Sequence, residues 1–258
     1  MHQANPYDNR SIADLKEAIV LGLRVATREG IMDHAGHLTM RIPGENAFLI
    51  NPRFSPSVAE PDDIATVDLK TGKQIDGPYP IPSEAVIHRS IMNARPDVNS
   101  VIHFHSRFLV LLGTLDLRLR PISRDDYLFE EGVPVLDDAN NVSTEELADE
   151  MVEVLGNHRA MLLRGHGSVV TGIHPEATTI AALQLESMAH NVYEAHLVGR
   201  PDPRPVKEAA RGDASKGVLS REGHYENPYR RWPYLLEKYD LLPRERLRAM
   251  LSSPEYKG

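Results

Sequence analysis

Two histidines that alternate within a short apolar run are the residues of this chain best suited to chemistry. They are His103 and His105, in the sequence Val101-Ile102-His103-Phe104-His105. In a β-strand, residues i and i+2 point to the same face, so these two imidazoles can converge on one metal ion. The alternative is a pair of hydrogen-bonded histidines on a hydrated sheet face, because short motifs of this kind also arise without a metal.

Two further residues can complete such a site. His166 lies between two glycines in the turn 164–167, where the small neighbours allow its ring to reach the edge of a sheet. Three imidazoles leave open coordination positions for water or substrate. Glu84 directly follows Ser83, one helix upstream, and can serve as a fourth ligand or as a base. Its position is equally typical of a carboxylate in the first turn of a helix, where the helix dipole favours negative charge.

The composition limits the other functions open to the chain. It has 258 residues, no cysteine and 12 histidines, so a metal must be held by His, Asp, Glu or carbonyl oxygen. A net charge of -8, from 29 basic and 37 acidic residues, argues against nucleic acid as a partner. No apolar run approaches the ~18–20 residues of a membrane span, and the polar residues 1–9 are unlike a secretion signal. We therefore expect a cytoplasmic protein with no membrane and no nucleic-acid partner.

The elements that must position these residues follow from hydrophobic spacing and turn residues. Helices are predicted from the cap Ser11 to Arg28, from Ser83 to Ala94, from Arg107 to Leu115, from the cap Ser143 to Leu155, and from Pro175 to Val198. Strands are predicted at Leu38–Ile42, Ala47–Asn51, Ala65–Leu69, Asn99–Phe104, Ala160–Leu163 and Ser168–Thr171. The stretch Asp116–Asn141 is predicted to be irregular.

Helices that flank strands of this kind predict an α/β protein with three layers, α/β/α, around a central and mainly antiparallel sheet. We expect residues 1–200 to form the catalytic domain. Residues 201–258 are rich in Pro, Gly, charge and aromatic side chains, and predict an arm with short helices that packs on the domain or on a neighbouring subunit. The segment Tyr225–Tyr234 could be a substrate lid or a docked arm.

Several motifs resemble the class II aldolase/adducin family over Ile12–Val198. They are Pro82-Ser83-Glu84 followed by His88, Ala94-Arg95-Pro96-Asp97, the sequence V-I-H-F-H-S from Val101 to Ser106, and L-R-G-H-G from Leu163 to Gly167. The resemblance implies an α/β/α fold and one divalent ion per subunit on His103, His105 and His166. It also implies Glu84 as acid/base or extra ligand, and a cyclic homotetramer with sites at the subunit interfaces.

The chain departs from the sugar-phosphate aldolases of that family at two places. Small residues that could cradle a phosphate are replaced by Gly36-His37-Leu38-Thr39 and by Asn51-Pro52-Arg53-Phe54-Ser55. A guanidinium pairs with a planar carboxylate in a bidentate fork, so Arg53 with His37 nearby suits a carboxylic acid substrate. The predicted substrate-binding residues are His37, Asn51, Arg53 and Ser83.

The altered motif resembles the decarboxylase branch of the family, as does the tail Asn227–Trp232. We therefore expect a divalent-metal-dependent decarboxylase, using Zn, Mn, Fe or Co, that acts on a hydroxylated aromatic dicarboxylic acid of catechol or pyridine type. The first alternative is an aldolase that cleaves a hydroxy-carbonyl compound, phosphorylated or not. A non-haem iron oxygenase and a non-catalytic adducin-like scaffold are the others.

Overall fold

The protein, described by a computed structural model at residues 10–202 and 228–252, is built on one eight-stranded sheet. The strands are β1 His37–Arg41, β2 Ala47–Ile50, β3 Ala65–Asp68, β4 Gln74–Asp76, β5 Ser100–Phe104, β6 Val135–Leu136, β7 Ala160–Leu163 and β8 Gly167–Gly172. Their order is β4-β3-β2-β1-β5-β8-β7-β6. Only the β6–β7 pair is parallel among these strands, which confirms the mainly antiparallel sheet.

Helices cover both faces of the sheet. They are α1 Ile12–Arg28, α2 Ala85–Ala94, α3 Arg107–Thr114, α4 Glu145–Leu155, α5 Pro175–Leu197, α6 Pro228–Lys238 and α7 Arg244–Ser252, with short 3-10 turns at Pro56–Val58, Pro61–Asp63 and Arg124–Phe129. One apolar core joins the sheet to α1, α3, α5, α6 and α7, and a second joins it to α2 and α4. The predicted three-layer α/β/α fold is therefore confirmed.

Two helix starts show how local sequence fixes the elements. The hydroxyl of Ser11 accepts the N–H of Asp14 at 3.2 Å, and the Asp14 carboxylate accepts the Ser11 N–H at 3.1 Å. This reciprocal capping box begins α1 as predicted. The predicted cap Ser143 of α4 is wrong by one residue, because Thr144 accepts the Leu147 N–H at 3.3 Å. The extended backbone that a cap requires lies at Thr144.

The sequence does not predict two short strands of the sheet, β4 and β6. The strand β4 has three residues and an exposed edge, and β6 has two residues inside the stretch predicted to be irregular. Neither is long enough to show an alternating pattern, so hydrogen bonds to β3 and β7 define them instead. The β6 strand leads into the loop that closes one side of the site described below.

The position of β5 explains where the chemistry lies. It runs antiparallel to both β1 and β8, so its carboxyl end meets the amino ends of those two strands. Along β5, Ile102 and Phe104 face the first core, whereas Val101 faces the second. Because the alternation continues, His103 and His105 face the side of α2 and α4. Opposite His103 in the β1 register lies His37.

The C-terminal helices pack on the same chain as the sheet. Trp232 is fully buried in the first core together with Leu235 and Leu236. Glu29 of α1 accepts hydrogen bonds from Lys238 Nζ at 2.7 Å and from the Tyr239 hydroxyl at 2.6 Å. These contacts attach α6 to α1. The predicted lid position Tyr225 lies outside the described residues, and the domain boundary at residue 200 stays a prediction.

Among residues 10–202 and 228–252, no helix combines the length and the apolar character of a membrane span.

Candidate metal centre

Four side chains predicted to bind or assist a metal converge at the carboxyl end of β5. They are Glu84, His103, His105 and His166, and each offers one ligand atom within 4.8 Å of the others. The Nε2 atoms of His103 and His105 are 3.0 Å apart. His166 Nε2 lies 3.4 Å from one carboxylate oxygen of Glu84, and His103 Nε2 lies 3.9 Å from the other. The four donors thus surround a space of the size of one ion.

The tautomer of His103 is fixed by the strand next to it. Its Nδ1 lies 3.0 Å from the backbone oxygen of Ser168, which can only accept a hydrogen bond. In the neutral ring the proton therefore sits on Nδ1, and the lone pair of Nε2 points to the other ligands. A backbone carbonyl behind a metal-binding histidine commonly orients the ring in this way.

Burial keeps the imidazoles neutral, as metal ligands must be. Desolvation lowers the pKa of His103 well below its usual value, and the neighbouring histidines His37 and His105 lower it further. Desolvation also lowers the pKa values of His105 and His166. A neutral imidazole has a free lone pair at physiological pH, so no proton must be removed before an ion binds.

The side chain of Glu84 does not cap the helix that follows it. It is the N-cap residue of α2, yet its side chain makes no capping hydrogen bond. Instead, its Oε1 accepts the backbone N–H of Val142 at 3.2 Å, across the loop that follows β6. Burial raises the pKa of this carboxyl group, and the Val142 hydrogen bond opposes only part of that effect. The carboxyl group is therefore held toward the histidines in an environment that favours its protonated form.

A glycine makes room for the three rings. A Cβ atom at Gly167 would lie 2.7 Å from His105 Cδ2, 2.7 Å from the Phe104 oxygen and 3.1 Å from His103 Cε1. No side chain fits at this distance from a rigid backbone atom. Gly167 thus permits the β8 turn to bring His166 against the other two imidazoles, whose ring centroids lie 5.0 and 5.1 Å from its own.

The donor set fits a divalent metal ion. Three neutral imidazoles and one carboxylate are the ligands that Zn, Mn, Fe and Co accept, with positions left for substrate. The Nδ1–H that the Ser168 oxygen favours on His103 and the space beside Gly167 both suit such an ion, because they direct lone pairs of three rings to one point. A pure interaction scaffold has no physical need for this arrangement.

The predicted substrate-binding residues take different places around the centre. His37 lies beside His103 with ring centroids 5.5 Å apart, and burial lowers its pKa to about 3. Asn51 is fully buried, and its amide accepts the Leu38 N–H at 2.9 Å and donates to the Gly36 oxygen at 3.1 Å. Asn51 therefore holds the backbone on both sides of His37.

Arg53 follows the buried Asn51 by two residues, and Ser83 directly precedes the buried Glu84. The side chains of Arg53 and Ser83 are exposed. The Arg53 guanidinium makes no hydrogen bond or ion pair with any described residue, while its backbone N–H donates to the Pro80 oxygen at 2.9 Å. A fixed backbone with an uncommitted guanidinium is an arrangement suited to an anionic ligand.

Sequence reasoning missed the groups that act through the backbone or from a distant element. The Val142 N–H and the Ser168 carbonyl belong to residue types that carry no chemical signal. Thr39 was recognised only as part of a motif, although its hydroxyl lies 2.9 Å from His88 Nδ1. His88 follows Glu84 by one helical turn, and that spacing was the one available signal for its place behind the site.

The fold and the site together define the class: the chain belongs to the class II aldolase and adducin family. It matches the family described as "Class II Aldolase and Adducin N-terminal domain" over residues 17–193. It is 32% identical to the 3,4-dihydroxyphthalate decarboxylase of Arthrobacter keyseri over 191 residues, covering 69% of this chain and 77% of that protein.

Aldolases are also similar to the chain. The 5-methylthioribulose-1-phosphate/5-deoxyribulose-1-phosphate aldolase of Rhodospirillum rubrum is 26% identical over 210 residues, covering 74% of this chain and 90% of that protein. The structure of L-fuculose 1-phosphate aldolase from Glaciozyma antarctica superposes with a TM-score of 0.75 at 22% identity, covering 93% and 95% of the two chains. These relatives are carbon–carbon lyases, which supports a lyase here.

Proposed function

We propose that this protein is a divalent-metal-dependent decarboxylase of a hydroxylated aromatic dicarboxylic acid of catechol or pyridine type. The observation that carries the proposal is the buried Glu84 carboxyl group, with its raised pKa, against three neutral imidazoles. Decarboxylation of an aromatic ring needs a proton donor for the ring carbon. Glu84 is the acidic group placed to supply it.

His103, His105 and His166 would hold a divalent ion, which would supply Lewis-acid stabilisation of negative charge on an adjacent substrate oxygen. The bonding electrons pass into the ring when carbon dioxide leaves. Glu84 then transfers its proton to the ring carbon and regains one from water. The Val142 N–H, at 3.2 Å from Glu84 Oε1, stabilises the carboxylate in the interval.

Arg53 suits the carboxylate that is retained. Its guanidinium is exposed and uncommitted among the described residues, whereas a phosphate cradle of small residues is missing from its motif. A guanidinium binds a planar carboxylate through two parallel hydrogen bonds. Ser83, which precedes Glu84, is the neutral hydrogen-bonding group proposed to assist it. A small-molecule carboxylic acid is thus the proposed partner.

The second candidate is a class II aldolase that cleaves a hydroxy-carbonyl compound. The likeness to the Rhodospirillum rubrum aldolase favours it. The same four side chains would serve, with Glu84 as base rather than acid. The two reactions differ in products, because decarboxylation alone releases carbon dioxide.

The proposal extends to a cytoplasmic homotetramer with sites at subunit interfaces. The resemblance to the family is the support for this assembly. Sedimentation velocity of the purified protein tests it, with a tetramer expected and a monomer contradicting it.

The decisive experiment is release of carbon dioxide by protein reconstituted with Zn, Mn, Fe or Co, using a panel of ortho-hydroxylated aromatic dicarboxylates. His103→Ala and Glu84→Gln are the site variants, and His190→Ala, which alters an exposed histidine of α5, is the matched control. We expect carbon dioxide to be released in the absence of oxygen, and we expect His103→Ala and Glu84→Gln each to abolish this release. Metal-bound protein that releases none from any compound would favour the aldolase, and an oxygen requirement would favour the oxygenase.

A further inference from the structure

Two buried histidines extend the imidazole cluster away from the metal ligands. His37 stands between His103 and His88, with ring centroids 5.5 Å from the first and 5.8 Å from the second, whose ring it meets edge-on. His88 is fully buried and His37 is 7% exposed. His37 Nδ1 and His88 Nε2 are both enclosed and have no hydrogen-bond partner among the described residues. Buried polar atoms of this kind require an explanation.

The proton of His88 can be located from its neighbours. The Thr39 hydroxyl donates to the Val101 oxygen at 3.1 Å, so it is an acceptor toward His88 Nδ1 at 2.9 Å. His88 Nδ1 therefore carries the hydrogen. Burial lowers the pKa of His88 well below its usual value, so the ring has a single proton and Nε2 has a lone pair.

The lone pair of His88 Nε2 needs a hydrogen-bond donor, and His37 Nδ1, the other enclosed nitrogen, can supply one if it is protonated. We propose that Thr39 and His88 set the tautomer of His37, whose Nδ1–H donates through one buried water to His88 Nε2, since neither nitrogen has a partner among the described residues. His37 then presents an unprotonated Nε2 to the substrate, and this atom accepts a hydrogen bond from a substrate hydroxyl. One bridging water with polar groups on two sides is a common solution in protein interiors.

This inference rests on the proposed function and changes one part of it. Sequence analysis assigned His37 and Arg53 jointly to a carboxylate. A neutral ring that offers a lone pair repels a carboxylate oxygen, so the carboxylate is left to Arg53, and His37 selects a hydroxyl. The site then prefers a substrate with a second hydroxyl, a catechol, over one with a single hydroxyl.

The size of the preference follows from the cost of an unmade hydrogen bond. A ligand without the second hydroxyl leaves His37 Nε2 without a donor in a desolvated site. We expect such a ligand to bind about 10- to 100-fold more weakly. The probes are protocatechuate and its two monohydroxy analogues, each of which lacks one hydroxyl.

The first measurement is nitrogen NMR of Zn-loaded protein labelled at histidine. Unprotonated Nε2 and protonated Nδ1 signals for both His37 and His88 are expected. A protonated Nε2 on His37 would overturn the proposal. This readout needs no turnover, so it separates failure of the tautomer from failure of the decarboxylase reaction.

The second measurement is the affinity ratio for the three probes, by calorimetry, in variants of the chain. Thr39→Val removes the acceptor of the His88 proton, and Thr39→Ser is the matched control that keeps it. We expect Thr39→Val to reduce the preference for protocatechuate at least about threefold and Thr39→Ser to preserve it. His88→Phe should reduce the preference for protocatechuate more than Thr39→Val does. His88→Gln should reduce that preference less than His88→Phe does. An unchanged ratio in both Thr39→Val and His88→Phe would overturn the inference, even if carbon dioxide release is confirmed.

Discussion

The two ends of β8 carry pairs of the same residue types in opposite electrostatic states. At its start, His166 Nε2 lies 3.4 Å from Glu84. Past its end, His174 Nδ1 lies 3.0 Å from Glu176. Both glutamates are 7% exposed. Solvent exposure therefore does not distinguish the two glutamates, but the pKa of Glu84 is raised whereas that of Glu176 is lowered to about 2.

The difference comes from one cation. Arg10 Nη1 lies 2.6 Å from Glu176 Oε1, and its charge together with the His174 hydrogen bond overcomes the cost of burial. Near Glu84 the described residues provide three imidazoles and no Lys or Arg in hydrogen-bonding contact. The Glu176 pair is complete without a ligand. At the Glu84 pair, a divalent ion would take the place that Arg10 takes at Glu176.

The largest expected effect is on turnover. Glu84→Gln should slow the proposed reaction by about 100- to 10,000-fold, because a general acid contributes that much to proton transfer. Glu176→Gln, corrected for the folded fraction by circular dichroism, should leave the rate within about twofold, since it touches no reacting group. Similar losses of turnover rate in Glu84→Gln and Glu176→Gln would contradict the functional difference between the two pairs.

The order of effects reverses for stability. Glu176→Gln removes the charged partner that Arg10 has at 2.6 Å, while the Arg10 side chain is 19% exposed, and should lower the free energy of unfolding by ~1.5–3 kcal/mol. Glu84→Gln removes a desolvated carboxyl group, so metal-free protein should keep its stability within ~1 kcal/mol or gain some. Urea unfolding after chelation measures both. A larger loss for Glu84→Gln than for Glu176→Gln would contradict this account.

The dependence of stability on pH should differ in sign at the two carboxyl groups. The pKa of Glu176 is depressed from 4.5 in the unfolded chain to about 2, so its contribution is present above pH 4.5 and is lost as pH falls toward 2. The linked loss is roughly 3 kcal/mol over that window. Glu84 has a raised pKa and acts in the opposite direction, because protonation favours the folded state.

Unfolding of metal-free protein between pH 2 and 7 checks this prediction. Glu176→Gln should reduce the slope of the acid limb of the stability curve, to which other carboxyl groups with lowered pKa values such as Asp14 and Glu29 also contribute. Glu84→Gln should leave that limb unchanged. A slope that stays the same in Glu176→Gln would contradict the assignment.

The smallest expected effects come from the glycines that end β8. Gly167→Ala places a methyl group 2.7 Å from both His105 Cδ2 and the Phe104 backbone oxygen, so the turn that carries His166 must shift. This shift should weaken metal binding by ~10–100-fold, as does the loss of a group that orients a ligand. Gly172→Ala meets the Thr178 hydroxyl and should cost ~1–3 kcal/mol of stability by overpacking. Titration with Zn should give wild-type affinity for Gly172→Ala, and equal affinities for the two variants would contradict the assignment.

The sequence predicted the helices and strands that have a regular hydrophobic pattern, and the side chains whose residue types suit metal binding. The α1 capping box, the β5 alternation and the convergence of His103 with His105 were predicted from spacing. His166 and Glu84 were added from their turn and helix context and from the family resemblance, and the structure brings both to the same cluster. The short strands β4 and β6 were not, since their hydrogen bonds come from distant partners.

The electrostatic difference between the two histidine–glutamate pairs was equally hidden. Glu176 and Arg10 are 166 residues apart, and nothing in the sequence marks them as partners. The same is true of Val142 and Glu84, which are 58 residues apart. Sequence spacing identifies ligands within one strand or turn, whereas the groups that tune their pKa values come from tertiary packing.

The most direct test of the central claim is anomalous diffraction from crystals of Zn-loaded protein at the zinc edge. The account predicts one strong peak per chain, bonded to Nε2 of His103, to His105 and to His166, with Glu84 beside it, and none at Glu176. No peak among the three histidines, or an equal one at the Glu176 pair, would contradict it.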